Sequence, residues 1–346
     1  MTTLDSSAMR AAARLKAQEF ARRRVLLILG PTAGGKSGLA MELARRFNGE
    51  LISADSMQIY RGMDIGTAKP TAAERNEIAH HLIDLVEASD DGFTVARWLE
   101  LADETITAIR ARGRVPIVVG GTNLYNRAFV EGLDSAPVTD PGFRATLDEV
   151  CSEELHARLA VIDPASAARL HVNDRRRVIR ALEIAAISGK TASEQRTKWN
   201  DGGLTARRAD LFTVILDWPV EVINRRINAR ARAMFESGFV EEVSALLRNN
   251  GVDDTGDVPL MGMQARGAVG YSEVAHALTR HGITLPAHAR TDALEATKIR
   301  SRQLAKQQRT WLKRFRSLTP SIALECNDES TIASLADACE AALARA

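Results

Sequence analysis

The chain has 346 residues, of which 45% are hydrophobic and 26% are charged. This composition is typical of globular proteins and excludes disordered, collagen-like and coiled-coil chains, and the length suits a large domain with a smaller appendage. The formal net charge is only +2, but residues 291–316 contain eight Lys and Arg side chains against two carboxylates. The basic excess is therefore local.

The sequence contains no apolar run of the roughly 18 residues that cross a bilayer, so we expect no membrane span. Residues 1–24 are rich in arginine but lack the apolar region of a secretory signal. We expect them to form a frayed leader, with an organelle presequence as the alternative. The cysteines, Cys151, Cys326 and Cys339, have no C-x-x-C spacing, which favours neither a disulfide framework nor a zinc site. A reducing cytoplasm is the expected compartment.

Short apolar runs predict buried strands at residues 25–29, 51–54, 115–119 and 211–216. Helical spacing predicts helices between them, at residues 39–47 and 94–110. This alternation predicts an α/β fold with a largely parallel sheet. Together with the phosphate-binding loop described below, it leads us to expect a core like that of the phosphate-loop NTPases. Ligands of such sheets gather beyond the carboxyl ends of the strands, where Gly30, Asp55 and Thr122 fall.

The composition and the hydrophobic pattern change in the middle of the chain. Pro and Asp become frequent near residue 134, and helical patterns without strands then continue to residue 211. We therefore predict a helical insertion at residues 135–208, within a core formed by residues 25–134 and 209–346. In the second half of the core we expect a long helical stretch at 220–247, a loop at 249–259 and the basic helix. We expect the last thirty residues to form a terminal helix with no special role.

Residues 30–37, with the sequence GPTAGGKS, match the phosphate-binding loop in full. The glycines let backbone N–H groups face a phosphate chain, and the following helix adds its positive end. Lys36 reaches the phosphate oxygens, and the Ser37 hydroxyl ligates Mg²⁺. Such loops serve kinases, NTPases and other transferases, so the loop by itself leaves the reaction open. The candidate binding residues are Gly30, Pro31, Thr32, Ala33, Gly34, Gly35, Lys36 and Ser37.

Three further features lie near this loop in the predicted sheet. Asp55 suits three roles, those of a magnesium ligand, a general base and a helix cap, and its position at a strand end favours proton abstraction from a nucleophile. Thr122 ends a Gly-Gly-Thr turn, either as a site residue or as the cap of the next helix. Arg226 and Arg230, one helical turn apart, either clamp a leaving phosphate group or form a solvated face.

Two predicted helices are basic. On the later one, five cations recur at steps of four and three residues along one face: Lys298, Arg302, Lys306, Arg309 and Lys313. They have no carboxylate four residues away on that face, which favours an external polyanion over internal pairing, with a solvated face as the alternative. The earlier helix carries Arg176, Arg177 and Arg180.

Taken together and in order, the motifs resemble one family, the tRNA dimethylallyltransferases, also called tRNA isopentenyltransferases. The resemblance extends over roughly residues 25–316 and rests on the phosphate loop and on ISADSMQIY (52–60), GMDIGTAKP (62–70), HHLID (80–84), VGGTNLY (119–125), RALE (180–183), SGK (188–190) and RQLAK (302–306). One position departs from the pattern: Gly267 stands where the family usually has a cationic or polar residue. The cysteine pattern lacks the zinc finger of eukaryotic members, so we expect a bacterial-type enzyme.

The resemblance implies that the loop holds the diphosphate of dimethylallyl diphosphate, with Mg²⁺, and that the acceptor is N6 of adenosine 37 in tRNA. Asp55 would take the N6 proton and Thr122 would hydrogen-bond in the same site. Lys36, Ser37 and Arg230 would stabilise the departing diphosphate. The adenosine would have to leave its stack to enter the site. The residues that match the family's tRNA-contacting segments are Asp55, Ser56, Met57, Gln58, Thr122, Arg144, Arg176, Arg177, Arg180, Lys306, Arg309 and Lys313.

Three other functions stay open from the sequence. An adenylate isopentenyltransferase would share the loop and Asp55 but would have less need of basic helices. A small-molecule kinase would turn over ATP, and a non-catalytic RNA-binding protein would bind tRNA without diphosphate. For the expected enzyme we predict a monomer with tRNA and dimethylallyl diphosphate as its partners and no contact with a membrane.

Overall fold

The computed structural model describes residues 3–134, 137, 139–195, 206–249, 261–282 and 284–346. A six-stranded sheet has the order β3-β2-β4-β1-β5-β6, and all its pairings are parallel. The strands are β1 Val25–Leu29, β2 Gly49–Ser53, β3 His80–His81, β4 Val115–Val119, β5 Leu211–Asp217 and β6 Ser321–Glu325. The predicted α/β fold with a parallel sheet is confirmed.

Helices connect the strands and cover both faces of the sheet. They are α1 Thr3–Arg22, α2 Lys36–Phe47, α3 Ala72–Glu77, α4 Val95–Ala111, α5 Asn123–Glu131, α6 Pro141–Ala145, α7 Ser152–Ile162, α8 Pro164–Arg169, α9 Arg175–Ser188, α10 Ala192–Gln195, α11 Val220–Glu236, α12 Phe239–Asn249, α13 Met263–Arg266, α14 Tyr271–His281, α15 Ala287–Phe315 and α16 Ile332–Arg345. In the described part of the chain, none of them combines the length and the apolar character needed to cross a lipid bilayer.

Strand β1 is apolar throughout because both of its faces are buried. Leu26 and Ile28 belong to one buried cluster, with residues of α2, α11 and α16, whereas Leu27 and Leu29 belong to another, with residues of α4 and α5. Successive side chains of a strand point to opposite faces, so a strand covered on both faces needs an unbroken apolar run. The same arrangement fixes the carboxyl end of β1, where the phosphate loop begins.

The chain divides into two compact units, one formed by Met1–Val130 with Leu204–Ala346 and the other by Glu131–Gly203. The first contains the sheet. The second contains α6 to α10 around a small apolar cluster that includes Leu155 and Leu159. Its buried Glu183 carboxylate accepts hydrogen bonds from Arg144, Arg180 and the Asp140 backbone N–H. Those bonds hold the pKa of Glu183 below its usual range.

The N-terminal segment differs from the expected frayed leader. Residues 3–22 form α1, which packs against α16, and Ala17 and Ala21 are fully buried. Arg24 also donates a hydrogen bond to the Ala209 carbonyl. Alanines four residues apart let α1 lie close to α16. The high arginine content of the segment had favoured a frayed leader instead.

Two other parts of the second half differ from the sequence-based prediction. The helical stretch predicted at 220–247 is two helices, because Gly238, with a φ of 95°, breaks it between α11 and α12. The last thirty residues contain β6, which pairs with β5, as well as the expected terminal helix. The loop predicted at 249–259 lies, beyond its first residue, outside the described residues, as do residues 135, 136, 138 and 196–205 of the predicted insertion.

The packing of α1 is tested by the substitution Ala17→Glu. A carboxylate at this buried position lacks a partner, so we expect it to lower the free energy of unfolding by about 3 kcal/mol. Ala12→Glu places the same charge on an exposed position of the same helix and should change stability by less than about 0.5 kcal/mol. Urea unfolding followed by circular dichroism measures both. Equal stability of the two variants would contradict the packing described here.

Candidate active site

The phosphate loop joins β1 to α2 in a tightly packed conformation. Gly35 has a φ of 84°, a left-handed value that a glycine adopts readily, and Gly34 donates its N–H to the Pro31 carbonyl. A Cβ on Gly34 would lie 2.8 Å from the Pro31 carbonyl oxygen and 3.2 Å from Nε1 of Trp218. Trp218 Nε1 itself donates to the Gly34 carbonyl at 2.9 Å. The loop is therefore fixed from β5 as well as from its own strand.

Two cations of the predicted site lie together at this loop. Lys36, the first residue of α2, donates from Nζ to the Pro31 carbonyl at 2.9 Å, and Arg230 of α11 donates to Thr32 Oγ1 at 3.2 Å. Burial and the Arg230 guanidinium lower the pKa of Lys36 to about 8, while the Asp55 carboxylate acts in the opposite direction. Burial also lowers the pKa of Arg230, again opposed by Asp55. The site therefore concentrates positive charge that an anionic ligand would stabilise.

Asp55 follows β2 and lies in the field of both cations. Its Oδ1 accepts the Met57 backbone N–H at 2.9 Å, so the carboxylate closes a local turn, as the helix-cap alternative anticipated in part. Its Oδ2 has no hydrogen-bond partner among the described residues. The carboxylate is thus oriented through one oxygen, and its role as a base stays a prediction.

The Gly-Gly-Thr turn after β4 brings Thr122 to the end of β2. Thr122 Oγ1 accepts the Ser56 backbone N–H at 2.9 Å and lies 3.2 Å from Ser56 Oγ. A Cβ on Gly120 would lie 2.1 Å from the Ala54 carbonyl oxygen, so the close approach of the two strand ends requires glycine there. Thr122 therefore binds the residue that follows Asp55, and its assignment to the site stays a prediction.

A cavity of about 640 Å³ opens beside the loop and α11. Its lining includes the polar and cationic residues Lys36, Ser37, Arg226 and Arg230. It also includes small and apolar side chains, which are Ile65, Ala68, Ala229, Ala233 and Met234. A cavity with both kinds of lining suits a ligand that combines an anionic group with a short apolar group.

The segment that supplies Ile65 and Ala68 to the cavity is held in place by two residues to which the sequence analysis assigned no role. The Glu242 carboxylate accepts the backbone N–H groups of Asp64, Ile65 and Gly66, and also the Tyr271 hydroxyl at 2.6 Å. The buried Lys69 ammonium binds Asp84 and donates to Asp64 Oδ1 at 2.8 Å. The only sequence signal was the GMDIGTAKP motif itself, because Glu242 lies 176 positions from its partner Gly66.

Gln58, another residue predicted to contact tRNA, already forms hydrogen bonds within the protein. Its Oε1 accepts from Ser53 Oγ at 2.8 Å, and its Nε2 donates to the carbonyls of Thr67 and Ala68 at 3.3 Å. Met57 is half-buried and packs against the apolar cluster of α12 and α14. Arg226 donates to the Ala33 carbonyl at 2.9 Å and lies 4.6 Å from the centre of the Trp218 ring, so it braces the loop.

The five-cation stripe on α15 is only partly exposed. Lys298 is buried and pairs with Glu295 at 2.6 Å, three residues away, and Arg302 donates to Asn228 Oδ1 at 2.6 Å. The prediction that all five cations face an external polyanion is therefore wrong for these two, because Lys298 is buried and Arg302 binds a residue of α11. Lys306 and Lys313 are exposed, and Arg309 is half-buried.

In the second unit, some of the arginines predicted to contact tRNA form ion pairs within the protein and one does not. Arg144 and Arg180 are bound to Glu183, and Arg177 pairs with Asp174 at 3.0 Å. Arg176 is exposed and has no ion pair within the described residues. Whether these arginines contact RNA stays a prediction.

Comparison with known proteins identifies the family. The family described as IPP transferase matches residues 58–315. A tRNA dimethylallyltransferase of Anaeromyxobacter dehalogenans is 44% identical over 300 residues, which cover 85% of this chain and 92% of that protein. The chain belongs to the tRNA dimethylallyltransferase family. The family members named in the comparison favour neither the kinase nor the adenylate isopentenyltransferase alternative.

Solved structures of the family agree with this assignment. The full-length tRNA isopentenylpyrophosphate transferase of Bacillus halodurans is 34% identical, with a TM-score of 0.60 over 93% of this chain and 97% of that chain. A eukaryotic dimethylallyltransferase acting on tRNA is 29% identical, with a TM-score of 0.72 over 91% of this chain and 76% of that chain. The predicted resemblance is confirmed.

The lowered pKa of Lys36 predicts how the site binds inorganic diphosphate as the pH changes. Above pH of about 8 the free protein loses the Lys36 proton, whereas a bound anion favours the charged ammonium. Affinity should therefore fall by up to about tenfold per pH unit above this value, with uptake of a proton on binding. Isothermal titration calorimetry in two buffers of different ionisation enthalpy measures the uptake.

Two matched variants separate Lys36 from the titration of diphosphate itself. Lys36→Met should abolish the proton uptake that Lys36 contributes, and Lys16→Met, at an exposed lysine of α1, should leave it unchanged. The same proton uptake in the parent protein and in Lys36→Met would exclude the lowered pKa.

Proposed function

We propose that this protein transfers the dimethylallyl group of dimethylallyl diphosphate to N6 of adenosine 37 in tRNA and releases diphosphate. The observation that carries the proposal is the proximity of Lys36 and Arg230 in a cavity that small and apolar side chains also line. The cations suit the diphosphate, and the apolar part of the lining suits the five-carbon group. Membership of the tRNA dimethylallyltransferase family supports the choice of acceptor.

Charge moves in one direction during such a transfer. The bond between the allylic carbon and the diphosphate oxygen breaks, a bond forms between that carbon and N6, and the diphosphate keeps the electron pair. Negative charge on the leaving group therefore grows in the transition state. Lys36, Arg230 and the loop N–H groups stabilise that charge more strongly than they stabilise the bound substrate, which lowers the barrier.

Asp55 is the base in this proposal. One carboxylate oxygen is held by the Met57 N–H, and the other accepts the N6 proton as the new bond forms. The Asp55 carboxylate interacts electrostatically with both Lys36 and Arg230. Thr122, oriented by its bonds to Ser56, hydrogen-bonds in the same site.

Magnesium fits the donors present at the loop. The exposed Ser37 is among the polar residues that line the cavity, and Mg²⁺ is commonly bound by one or two protein oxygens together with substrate phosphates and water. Ser37 would hold the ion. When bound, Mg²⁺ neutralises part of the diphosphate charge and so improves the leaving group.

Recognition of RNA needs phosphate contacts that do not depend on sequence. Lys306 and Lys313 are exposed on α15, and the same helix reaches the phosphate loop through Gln308. In this proposal the two lysines bind the RNA backbone near the site. Phosphate contacts of this kind position the substrate and offset the loss of stacking when a base leaves its helix.

The role of Asp55 predicts the effect of Asp55→Asn. The amide keeps an oxygen for the Met57 N–H but cannot take a proton, so turnover should fall by about two orders of magnitude or more. Binding of tRNA and diphosphate should change by no more than a few fold. Single-turnover transfer of labelled dimethylallyl to tRNA, at saturating substrates, measures the chemical step.

Asp90→Asn is a matched control, since Asp90 Oδ1 accepts a backbone N–H two residues ahead, as Asp55 does. It should retain the parent rate. A near-normal rate for Asp55→Asn would exclude the assignment of Asp55 as the base.

The exposed lysines of α15 predict the salt dependence of tRNA binding. Replacing Lys306 and Lys313 with Gln should reduce the slope of log affinity against log salt by about 1.5, since each phosphate contact contributes about 0.7 to 0.9. Fluorescence anisotropy of labelled tRNA over a range of salt concentrations gives the slope. Lys16→Gln with Arg22→Gln, two exposed cations of α1, is the control, and an equal effect of both pairs would rule out a specific RNA contact on α15.

A further inference from the structure

Gln308 of α15 links two parts of the site that belong to different loops. Its Oε1 accepts the Thr32 backbone N–H of the phosphate loop at 2.7 Å. Its Nε2 donates to the Gly121 carbonyl, in the turn before Thr122, at 2.8 Å. The side chain is only 4% exposed, so water does not compete for either hydrogen bond. One amide therefore joins the loop to the turn.

The turn is shaped to receive this amide. A Cβ on Gly121 would lie 2.6 Å from Nε2 of Gln308, closer than van der Waals contact allows. Gly121 does not have a positive φ, so its backbone conformation suits other residues as well. A Cβ at this position would displace the Gln308 amide from its present place.

The helix around Gln308 is itself held in place. Ala305 and Leu312 flank Gln308 on the buried face of α15, one in each of the two apolar clusters of the sheet. Arg302 ties the same helix to Asn228 of α11. The amide is therefore presented from a rigid element rather than from a mobile loop.

Both ends of the link continue to groups with a proposed part in the reaction. At the loop, the hydroxyl of Thr32 accepts from Arg230 at 3.2 Å. At the turn, Thr122 binds Ser56, which follows Asp55. Gln308 thus spans the gap between Arg230, beside which the diphosphate would lie, and the strand end that carries the base.

We propose that Gln308 is a positioning residue that sets the distance between the leaving group and the base, an inference that rests on the function proposed above. Gln308 is buried, and its amide oxygen and nitrogen both bind backbone groups of the protein. It acts through Thr32 and Gly121, and a displacement of about 1 Å between the reacting groups is enough to slow a reaction about a hundredfold. Loss of the amide therefore lowers the rate of the bound complex more than it weakens binding.

The test is a double-mutant cycle of Gln308→Ala and Gly121→Ala, with the adjacent exposed Gln307→Ala as control. Each single change should lower kcat by about 10- to 100-fold and alter KM for tRNA and for dimethylallyl diphosphate by less than about threefold. Removing the amide leaves room for the Gly121 Cβ, so the double variant should be no slower than the slower single variant. Gln307→Ala should match the parent.

Hydrogen exchange at the Thr32 amide supplies a readout that needs no turnover. Exchange should be faster in Gln308→Ala and in Gly121→Ala than in the parent, and unchanged in Gln307→Ala. Unchanged exchange at Thr32, additive effects in the cycle, or a loss of thermal stability with kcat intact would overturn the positioning role. A parent protein that transfers no prenyl group to tRNA, while Thr32 exchange responds as expected, would instead reject the proposed function and leave the link intact.

Discussion

The repulsion between Lys36 and Arg230 is the constraint on which the rest of the site depends. Two cations share one partly buried region, and burial together with their proximity lowers the pKa of Lys36 to about 8. Backbone and hydroxyl acceptors of the loop hold the two side chains in place, and Asp55 supplies part of the opposing charge. In the function proposed above, a bound diphosphate relieves this repulsion, and a departing diphosphate relieves it further because its charge increases. Under that proposal, the same pair of cations acts in both binding and catalysis.

Much of this arrangement could be predicted from local sequence. The phosphate loop is continuous in sequence, and its backbone conformation follows from its own glycines and from the strand and helix that flank it. Asp55 and Thr122 could be placed near it because carboxyl ends of parallel strands share one edge of a sheet. The central strands could be predicted because burial on both faces makes their sequences apolar throughout, as in β1.

What could not be predicted depends on contacts between distant residues. Gln308 and Glu242 bind backbone groups far away in the chain, and a single polar residue on a helix carries no pattern that identifies such a partner. Helical spacing indicated that Lys298 shares a face with Lys306, but Lys298 is buried beside Thr297 whereas Lys306 is exposed, and spacing within one helix does not show which of its positions the rest of the fold covers. Strand β6 has exposed positions, so its pattern was too weak to separate from the terminal helix.

The central claim is that the phosphate loop acts on a leaving diphosphate rather than on a nucleoside triphosphate. The most direct measurement incubates the protein and Mg²⁺ with dimethylallyl diphosphate and an unmodified anticodon stem-loop, with AMP, or with ATP alone, and quantifies prenyl-adenosine and released diphosphate or phosphate. The account predicts one diphosphate released per N6-prenylated adenosine in the stem-loop, little transfer to AMP and no turnover of ATP. Preferred transfer to AMP, or ATP hydrolysis without prenyl transfer, would contradict it.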